Sequence, residues 1–178
     1  MQITIRRAKI EDAETLAKLS WQTFWDAFHE HPKNAPEDMK IYMDEAFSVQ
    51  KVSEELSDAN AIFLLAEVEN EIAGYAKVIT NSREPEIVAE NPIELHRLYS
   101  HQKFVGKGIG AALMNECLRE AENKGCDAIW LGVWEHNPRA QAFYRKYDFR
   151  EIGKHVFLLG NDPQIDLLMQ KSLIKNDE

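Results

Sequence analysis

The strongest constraint on the fold is the glycine-rich segment Val105-Gly106-Lys107-Gly108-Ile109-Gly110. It follows a strand-like stretch at 93–99 and opens the clearest helical pattern in the chain. The apolar residues on one face of that helix are Ile109, Leu113, Cys117 and Ala121. Glycines at a helix start let backbone N–H groups converge, and the helix dipole adds partial positive charge there. The segment therefore predicts a strand-to-helix turn that can seat a phosphate group.

The glycine segment has three interpretations. It can be a tight turn alone, a dinucleotide fingerprint of the form Gly106-x-Gly108-x-x-Ala111, or an acyl-CoA pyrophosphate loop. The polar stretch 100–103 separates the strand from the glycines, and the chain after Gly110 is too short for two mononucleotide-binding halves. The acyl-CoA loop is therefore favoured. A dinucleotide-binding oxidoreductase stays open as an alternative, because Glu135 lies where an acid could bind a ribose.

Composition limits the partners of the chain. Its 178 residues, 44% of them hydrophobic and 29% charged, predict one globular domain over 1–178. The formal net charge of −9 argues against nucleic acid, which needs a basic surface, and is compatible with a cationic small molecule. No apolar run reaches membrane length, and the first residues do not resemble a signal peptide. Cys117 and Cys126 have neither metal-ligand nor disulfide spacing, so we expect reduced thiols, no metal and a cytoplasmic location.

Apolar periodicity and turn residues predict a strand, helices, three strands, a helix, a strand, a helix and two strands. Acids in a first turn predict a helix from Glu11-Asp12, and Ser48 and Asn137 are expected to cap later helices. The predicted strands are 2–7, a hairpin at 61–66 and 72–79, 93–99, 128–134, and a closing pair at 149–159 and 165–169. This order gives a mixed sheet with helices packed on it.

The glycine segment and the later segment Asn137-Pro138-Arg139-Ala140-Gln141-Ala142-Phe143-Tyr144 together resemble the GNAT superfamily of acetyl-CoA-dependent N-acetyltransferases. The family pattern is Gln/Arg-x-x-Gly-x-Gly/Ala, then Asn-x-x-Ala-x-x-Phe-Tyr ahead of Gly-Phe. Val105 stands where Gln or Arg is usual, and Asp148 where the helix-ending Gly is usual. A narrower likeness, carried by 34–48, 130–135 and 160–166, is to the bacterial spermidine/spermine acetyltransferase (PaiA-type) group.

The resemblance implies a fold and a cosubstrate. The fold is α/β, with a mixed, mostly antiparallel central sheet flanked by helices and a V-shaped splay between its two central strands. Acetyl-CoA would lie with its pyrophosphate on the backbone N–H groups of the glycine segment and its pantetheine arm between 98–100 and 130–134. A backbone N–H near Leu98 would stabilise the oxyanion. The residues that the resemblance assigns to acetyl-CoA are Leu98, Tyr99, Ser100, Val105, Gly106, Lys107, Gly108, Ile109, Gly110, Asn137 and Tyr144.

The resemblance also implies two proton-transfer groups. Tyr144 is the candidate general acid for the departing thiolate, the alternative being an aromatic packed beside Phe143. Asn137 is a helix cap, with a CoA contact as the second interpretation. Glu94 is the candidate base, and by strand alternation it is expected to share a face with His96, Leu98 and Ser100. His96 or a water between the two is the alternative base, because imidazole titrates near neutrality. Glu94 could instead be a solvated or salt-bridged side chain.

The acceptor implied by the resemblance is an amine, and we expect a small cationic one such as a polyamine. The segment before the hairpin is rich in acids, namely Asp26, Glu30, Glu37, Asp38, Asp44 and Glu45. It also holds aromatics that can receive an ammonium group by cation–π contact, although such side chains more often pack in a core. The candidate acceptor-binding residues are Trp25, Tyr42, Glu94, His96 and Trp134. A catalytically silent CoA-binding regulatory domain is the alternative function, and a monomer or homodimer is expected.

Overall fold

The computed structural model describes residues 1–174 and contains one seven-stranded sheet over that range. Its strands are β1 (Thr4–Arg7), β2 (Ala61–Val68), β3 (Glu71–Thr80), β4 (Pro92–Ser100), β5 (Ala128–Trp134), β6 (Arg150–Leu159) and β7 (Asp162–Ser172). Its helices are α1 (Ala13–Phe28), α2 (Pro36–Ala46), α3 (Val49–Leu56), α4 (Ile109–Asn123) and α5 (Pro138–Lys146). The strand order is β1-β2-β3-β4-β5-β7-β6, and every pairing is antiparallel except β4–β5. This is the mixed, mostly antiparallel sheet that the sequence predicts.

The two faces of the sheet are covered by different helices. On the back face, α4 and α5 pack on alternate apolar residues of β2 to β5, including Val78, Leu95 and Leu131. On the front face, α1 and α3 pack on Phe63 and Tyr75. The third front-face helix, α2, contacts the edge strand β6. Alternate side chains therefore enter separate cores, as a sheet covered on both faces requires.

Several element ends depart from the predicted ones. A 3₁₀ turn occupies Ile10–Asp12, so α1 begins at Ala13 rather than at Glu11. The closing turn is shorter than expected, because β7 already begins at Asp162. The expected caps are present: the side-chain oxygens of Ser48 and Asn137 accept the N–H groups of Lys51 and Ala140, each at 3.1 Å.

The parallel pairing of β4 with β5 is short. It runs from Pro92 opposite Ala128 to Glu94 opposite Trp130, although β4 continues to Ser100 and β5 to Trp134. The two strands then diverge, which forms the expected V-shaped splay. Beyond Glu94, the facing backbone edges of the two strands have no partner across the splay.

A β-bulge in β4 changes which residues share a face. Lys77 lies opposite Arg97 and Val78 opposite Leu95, so His96 is the extra residue. Before the bulge, Leu95 enters the back-face core, whereas after it Leu98 does so. Glu94 therefore lies on the front face, and the expectation that Glu94 and Leu98 share a face is wrong. One inserted residue reverses a period-two pattern.

Gly160 fixes the β6–β7 hairpin against α2, and this contact can be tested by substitution. A Cβ on Gly160 would lie 2.5 Å from the Asp38 carbonyl oxygen, and the φ angle there is +59°. Gly125 has a similar φ of +65°, but within the described chain no atom lies within 4 Å of its Cβ position. We expect Gly125→Ala to lower the free energy of unfolding by about 1–2 kcal/mol, because of backbone strain. Gly160→Ala should lower it by about 1–3 kcal/mol more, because of the clash with Asp38. Urea unfolding measures both, and equal losses would contradict the contact.

Candidate active site

A cleft of about 720 Å³ opens where β4 and β5 diverge. One end is lined by the glycine segment and α5, and the other by α1, α2, β6 and β7. Between the ends, its walls are Leu98, Tyr99 and Ser100 of β4 and Gly132, Val133 and Trp134 of β5. The unpaired backbone edges of the splay thus face a cavity long enough to hold an extended ligand.

The glycine end of the cleft has the geometry of an anion seat. Gly106 and Gly108 adopt φ angles of +79° and +87°, which favour glycine, and Gly108 directly precedes α4. The first N–H groups of a helix lack partners within it, so those at the start of α4 are available to a ligand. The residues of the glycine segment that line this end are Val105, Gly106, Gly108, Ile109 and Gly110.

Two residues of the glycine segment offer less to a bound phosphate than the sequence predicts. The N–H groups of Val105 and Lys107 donate to the carbonyl oxygens of Gln102 and Phe104, at 3.3 and 3.1 Å. Both N–H groups are therefore already used by the turn. The Lys107 ammonium lies over the Phe104 ring, 5.4 Å from its centre, and Lys107 does not line the cleft.

Tyr144 and Asn137 line the cleft from α5 and the turn before it. The Tyr144 ring packs between Phe143 and Phe149, with ring centres 5.4 and 5.8 Å away. Burial raises the pKa of Tyr144, so its phenol keeps its proton throughout the neutral range. Asn137 caps α5, and its position at the cleft is also compatible with a ligand contact.

Glu94 lies in the front-face wall of the cleft, where β4 and β5 separate. The Ser82 hydroxyl donates to its Oε2 at 2.5 Å. Burial raises the pKa of Glu94, while Ser82 and the Lys77 ammonium act in the opposite direction. A carboxylate with a raised pKa is a stronger base near neutrality.

His96, the bulge residue, also lines the cleft. Its side chain is exposed to solvent. Desolvation and the Lys77 and Arg97 cations lower the pKa of His96. Its imidazole is therefore neutral at physiological pH and can accept a proton only weakly.

Aromatic side chains line the end of the cleft away from the glycine segment, where the acceptor is expected, but Trp25 is not among them. Tyr42 lies 5.1 Å from Phe157, and Trp134 lies 5.9 Å from Phe28, measured between ring centres, and all four line the cleft. Trp25 instead stacks on His29 at 4.8 Å, outside the cleft. The physical reason is the helical period, since Phe24 and Phe28, four residues apart on α1, share the face that lines the cleft, and Trp25 lies off that face.

Most of the acids expected around the acceptor also lie elsewhere. Asp26 lines the cleft, whereas Glu30, Glu37, Asp38, Asp44 and Glu45 do not. Asp38 accepts the N–H of Asn161 at 2.9 Å, and Asp44 pairs with Lys40 on the same helix. Those side chains serve the surface and the hairpin contact rather than the cleft.

The sequence interpretation missed two functional candidates on the closing hairpin, His155 and Asp166. They are register partners on β6 and β7, and Nε2 of His155 lies 3.5 Å from Oδ2 of Asp166. Nδ1 of His155 lies 3.2 Å from Oε1 of Glu84, and burial raises the pKa of Asp166. A Cβ on Gly132 would lie 3.0 Å from His155, so glycine leaves room for this pair. Strand alternation could have placed both inward, but their pairing depends on the hairpin register.

Metal-binding clusters and membrane-spanning helices are both absent from residues 1–174. No group of three or more His, Cys, Asp or Glu side chains in this range is arranged to hold a metal ion. None of the helices in the same range is long and apolar enough to span a membrane.

Comparison with known proteins assigns the chain to a family. Residues 20–149 match the model of the acetyltransferase (GNAT) family. An uncharacterised N-acetyltransferase of Lactobacillus delbrueckii subsp. lactis is 31% identical over 97% of this chain and 98% of its own. The spermidine N(1)-acetyltransferase of Thermoplasma acidophilum is 29% identical over 84% of this chain and 89% of its own.

A solved structure agrees with these relatives. It is the PaiA N-acetyltransferase of Thermoplasma acidophilum in complex with coenzyme A, with a TM-score of 0.75 and 26% identity. The match covers 97% of this chain and 99% of that one. The expected likeness to the PaiA-type group and the acetyl-CoA cosubstrate are thereby confirmed. The protein belongs to the GNAT family and is an acetyl-CoA-dependent acyltransferase.

Proposed function

We propose that the protein transfers the acetyl group of acetyl-CoA to a primary amine of a small cationic acceptor, such as a polyamine. Attack is direct, within a ternary complex. The observation that carries this proposal is the continuity of one cleft. It runs from the glycine-rich start of α4 to the end that lies on the front face of the sheet, here called the front-face chamber, which contains Glu94 and Asp166.

The cosubstrate is held mainly by backbone. The N–H groups at the start of α4, with Gly106 and Gly108 in left-handed conformations, receive the pyrophosphate. The edges of β4 and β5, unpaired after Glu94 and Trp130, offer donors and acceptors to the amides of the pantetheine arm. A β4 N–H near Leu98 stabilises the negative charge that forms on the thioester oxygen.

Proton transfer is assigned to two side chains on opposite walls. The acceptor amine, with a pKa near 10 in water, must lose a proton before it attacks, and Glu94 receives this proton directly or through a water. Tyr144 remains protonated and donates to the thiolate as it leaves. The lowered pKa of His96 makes it the weaker alternative base.

A cationic acceptor is supported by the charges that line the front-face chamber. Asp26, Glu94 and Asp166 line it, whereas the Arg97 guanidinium there is already paired with Glu55 at 2.9 Å. The 29% identical Thermoplasma relative is a spermidine acetyltransferase, which is compatible with the same acceptor class.

The cosubstrate seat is tested by ligand-dependent stability. Coenzyme A at 100 times its Kd should stabilise the wild type by about 2.7 kcal/mol. We expect Gly108→Ala to lose most of this gain at the same concentration, because a methyl group and a displaced backbone disturb the anion seat. Gly125→Ala, with a similar φ angle far from the cleft, should retain the gain. Thermal unfolding measures it, and equal stabilisation by NAD would contradict the assignment of the seat.

The general acid is tested by Tyr144→Phe, which keeps the packed ring and removes the hydroxyl. Single-turnover acetylation should slow by about 10²–10⁴-fold with little change in the KM for acetyl-CoA. The matched control is Tyr147→Phe, on the same segment but outside the cleft. Unchanged turnover in Tyr144→Phe would leave that residue a packing aromatic.

The acceptor class is tested by ionic strength. Attraction between an acidic chamber and a polycation is screened by salt. The screening becomes strong when the ionic strength reduces the Debye length to about 8–10 Å. The KM for spermidine should therefore rise with salt more than the KM for hexylamine, as measured by release of free thiol. Faster acetylation of neutral amino sugars or acidic amino acids, without salt dependence, would overturn the polyamine proposal.

A further inference from the structure

Three buried charged side chains form a cluster at the front-face wall of the cleft. Glu55 comes from α3, Lys77 from β3 and Arg97 from β4, with side chains only 14%, 5% and 7% exposed. Lys77 Nζ and Arg97 Nη1 approach the same oxygen, Oε2 of Glu55, at 3.1 and 2.9 Å. One carboxylate thus faces two cations.

An unbalanced buried charge is costly, so the excess cation needs another carboxylate nearby. The β4 bulge brings a second carboxyl group, that of Glu94, to the same face of the sheet. Glu94 pairs in register with Ile79, two residues along β3 from Lys77, and both side chains are on the front face. Lys77 and Glu94 are therefore diagonal neighbours across β3 and β4.

We infer that Lys77 is a positioning residue for acetyl transfer: held by Glu55, its ammonium favours the ionised Glu94 carboxylate and sets the pH at which that group accepts a proton. This inference rests on the proposed function, in which Glu94 is the base. Lys77 does not line the cleft and acts on the reaction through Glu94.

Several other groups act on Glu94 and must be considered with Lys77. The Ser82 hydroxyl and His155 favour the carboxylate, whereas burial and Glu84 disfavour it. Other charged or titratable groups at or near this wall are Asp26, Tyr42, Glu55, Tyr75, His96, Arg97, Tyr99 and Asp166. Burial, followed by Arg97, lowers the pKa of Lys77 itself to about 8, while Glu55 and Glu94 oppose this. Lys77 is thus cationic below about pH 8, where the charge of Glu94 matters most.

The test uses Lys77→Met, because this change removes the excess cation and leaves Glu55 balanced by Arg97 alone. Lys77→Arg restores a permanent positive charge. The control is Lys18→Met, which alters net charge equally at an exposed site on α1. Folding of each variant is checked by thermal unfolding with and without coenzyme A.

The measurement is the pH dependence of kcat/KM, with hexylamine and with spermidine as acceptors. The lower apparent pKa of this profile, called the break below, reports the essential base. Glu94→Gln identifies the break by abolishing it. We expect Lys77→Met to move the break upward by about one pH unit, which lowers kcat/KM on the acidic side about tenfold. Lys77→Arg and Lys18→Met should leave the break near its wild-type position.

The outcomes separate the inference from the proposed function. A break that Glu94→Gln abolishes but folded Lys77→Met leaves in place overturns the role of Lys77 alone. If Lys77→Met does not fold, an upward shift of about one unit in Lys77→Arg overturns it, since the charge is kept. A wild type that acetylates no amine, or a break that persists in Glu94→Gln, overturns the assignment of Glu94 and this inference with it.

Discussion

The early end of the parallel pairing between β4 and β5 is the constraint on which the rest of the molecule depends. After Glu94 and Trp130 the two central strands separate, and their backbone groups lose the partners that a continuous sheet would supply. Buried backbone groups require partners, so the splay is stable only where solvent or a ligand can reach it. The glycine start of α4 and the front-face chamber are placed at the two ends of this opening.

The bulge at His96 determines which side chains of β4 lie on each face of the sheet. Ahead of it, Leu95 supports the back-face core under α4, while Glu94 enters the front-face wall. After it, Arg97 joins Glu55 on the front face, and Leu98 packs toward the back. A single extra residue thus brings the candidate base and the buried charges to one wall without interrupting the core.

Local patterns predicted the element order and the glycine turn before α4, because strand alternation, caps and glycine turns depend on near neighbours. Ser48, Asn137 and Gly108 are of this kind. The face of Glu94 could not be predicted, since the bulge arises from pairing with β3. The pairing of His155 with Asp166 depends on the register of the hairpin. The position of Trp25 outside the cleft depends on how α1 is rotated against the sheet. Such features depend on tertiary packing rather than on local spacing.

The closing hairpin has a consequence for how this enzyme can diversify. The family match ends at residue 149, whereas the hairpin that brings His155, Phe157 and Asp166 to the chamber begins at Arg150. The same hairpin is also part of the sheet, because β7 pairs with β5 and places Leu167 and Met169 in the back-face core. Substitutions on its front face can therefore change the lining of the cleft, whereas loss of the hairpin would also uncover the core.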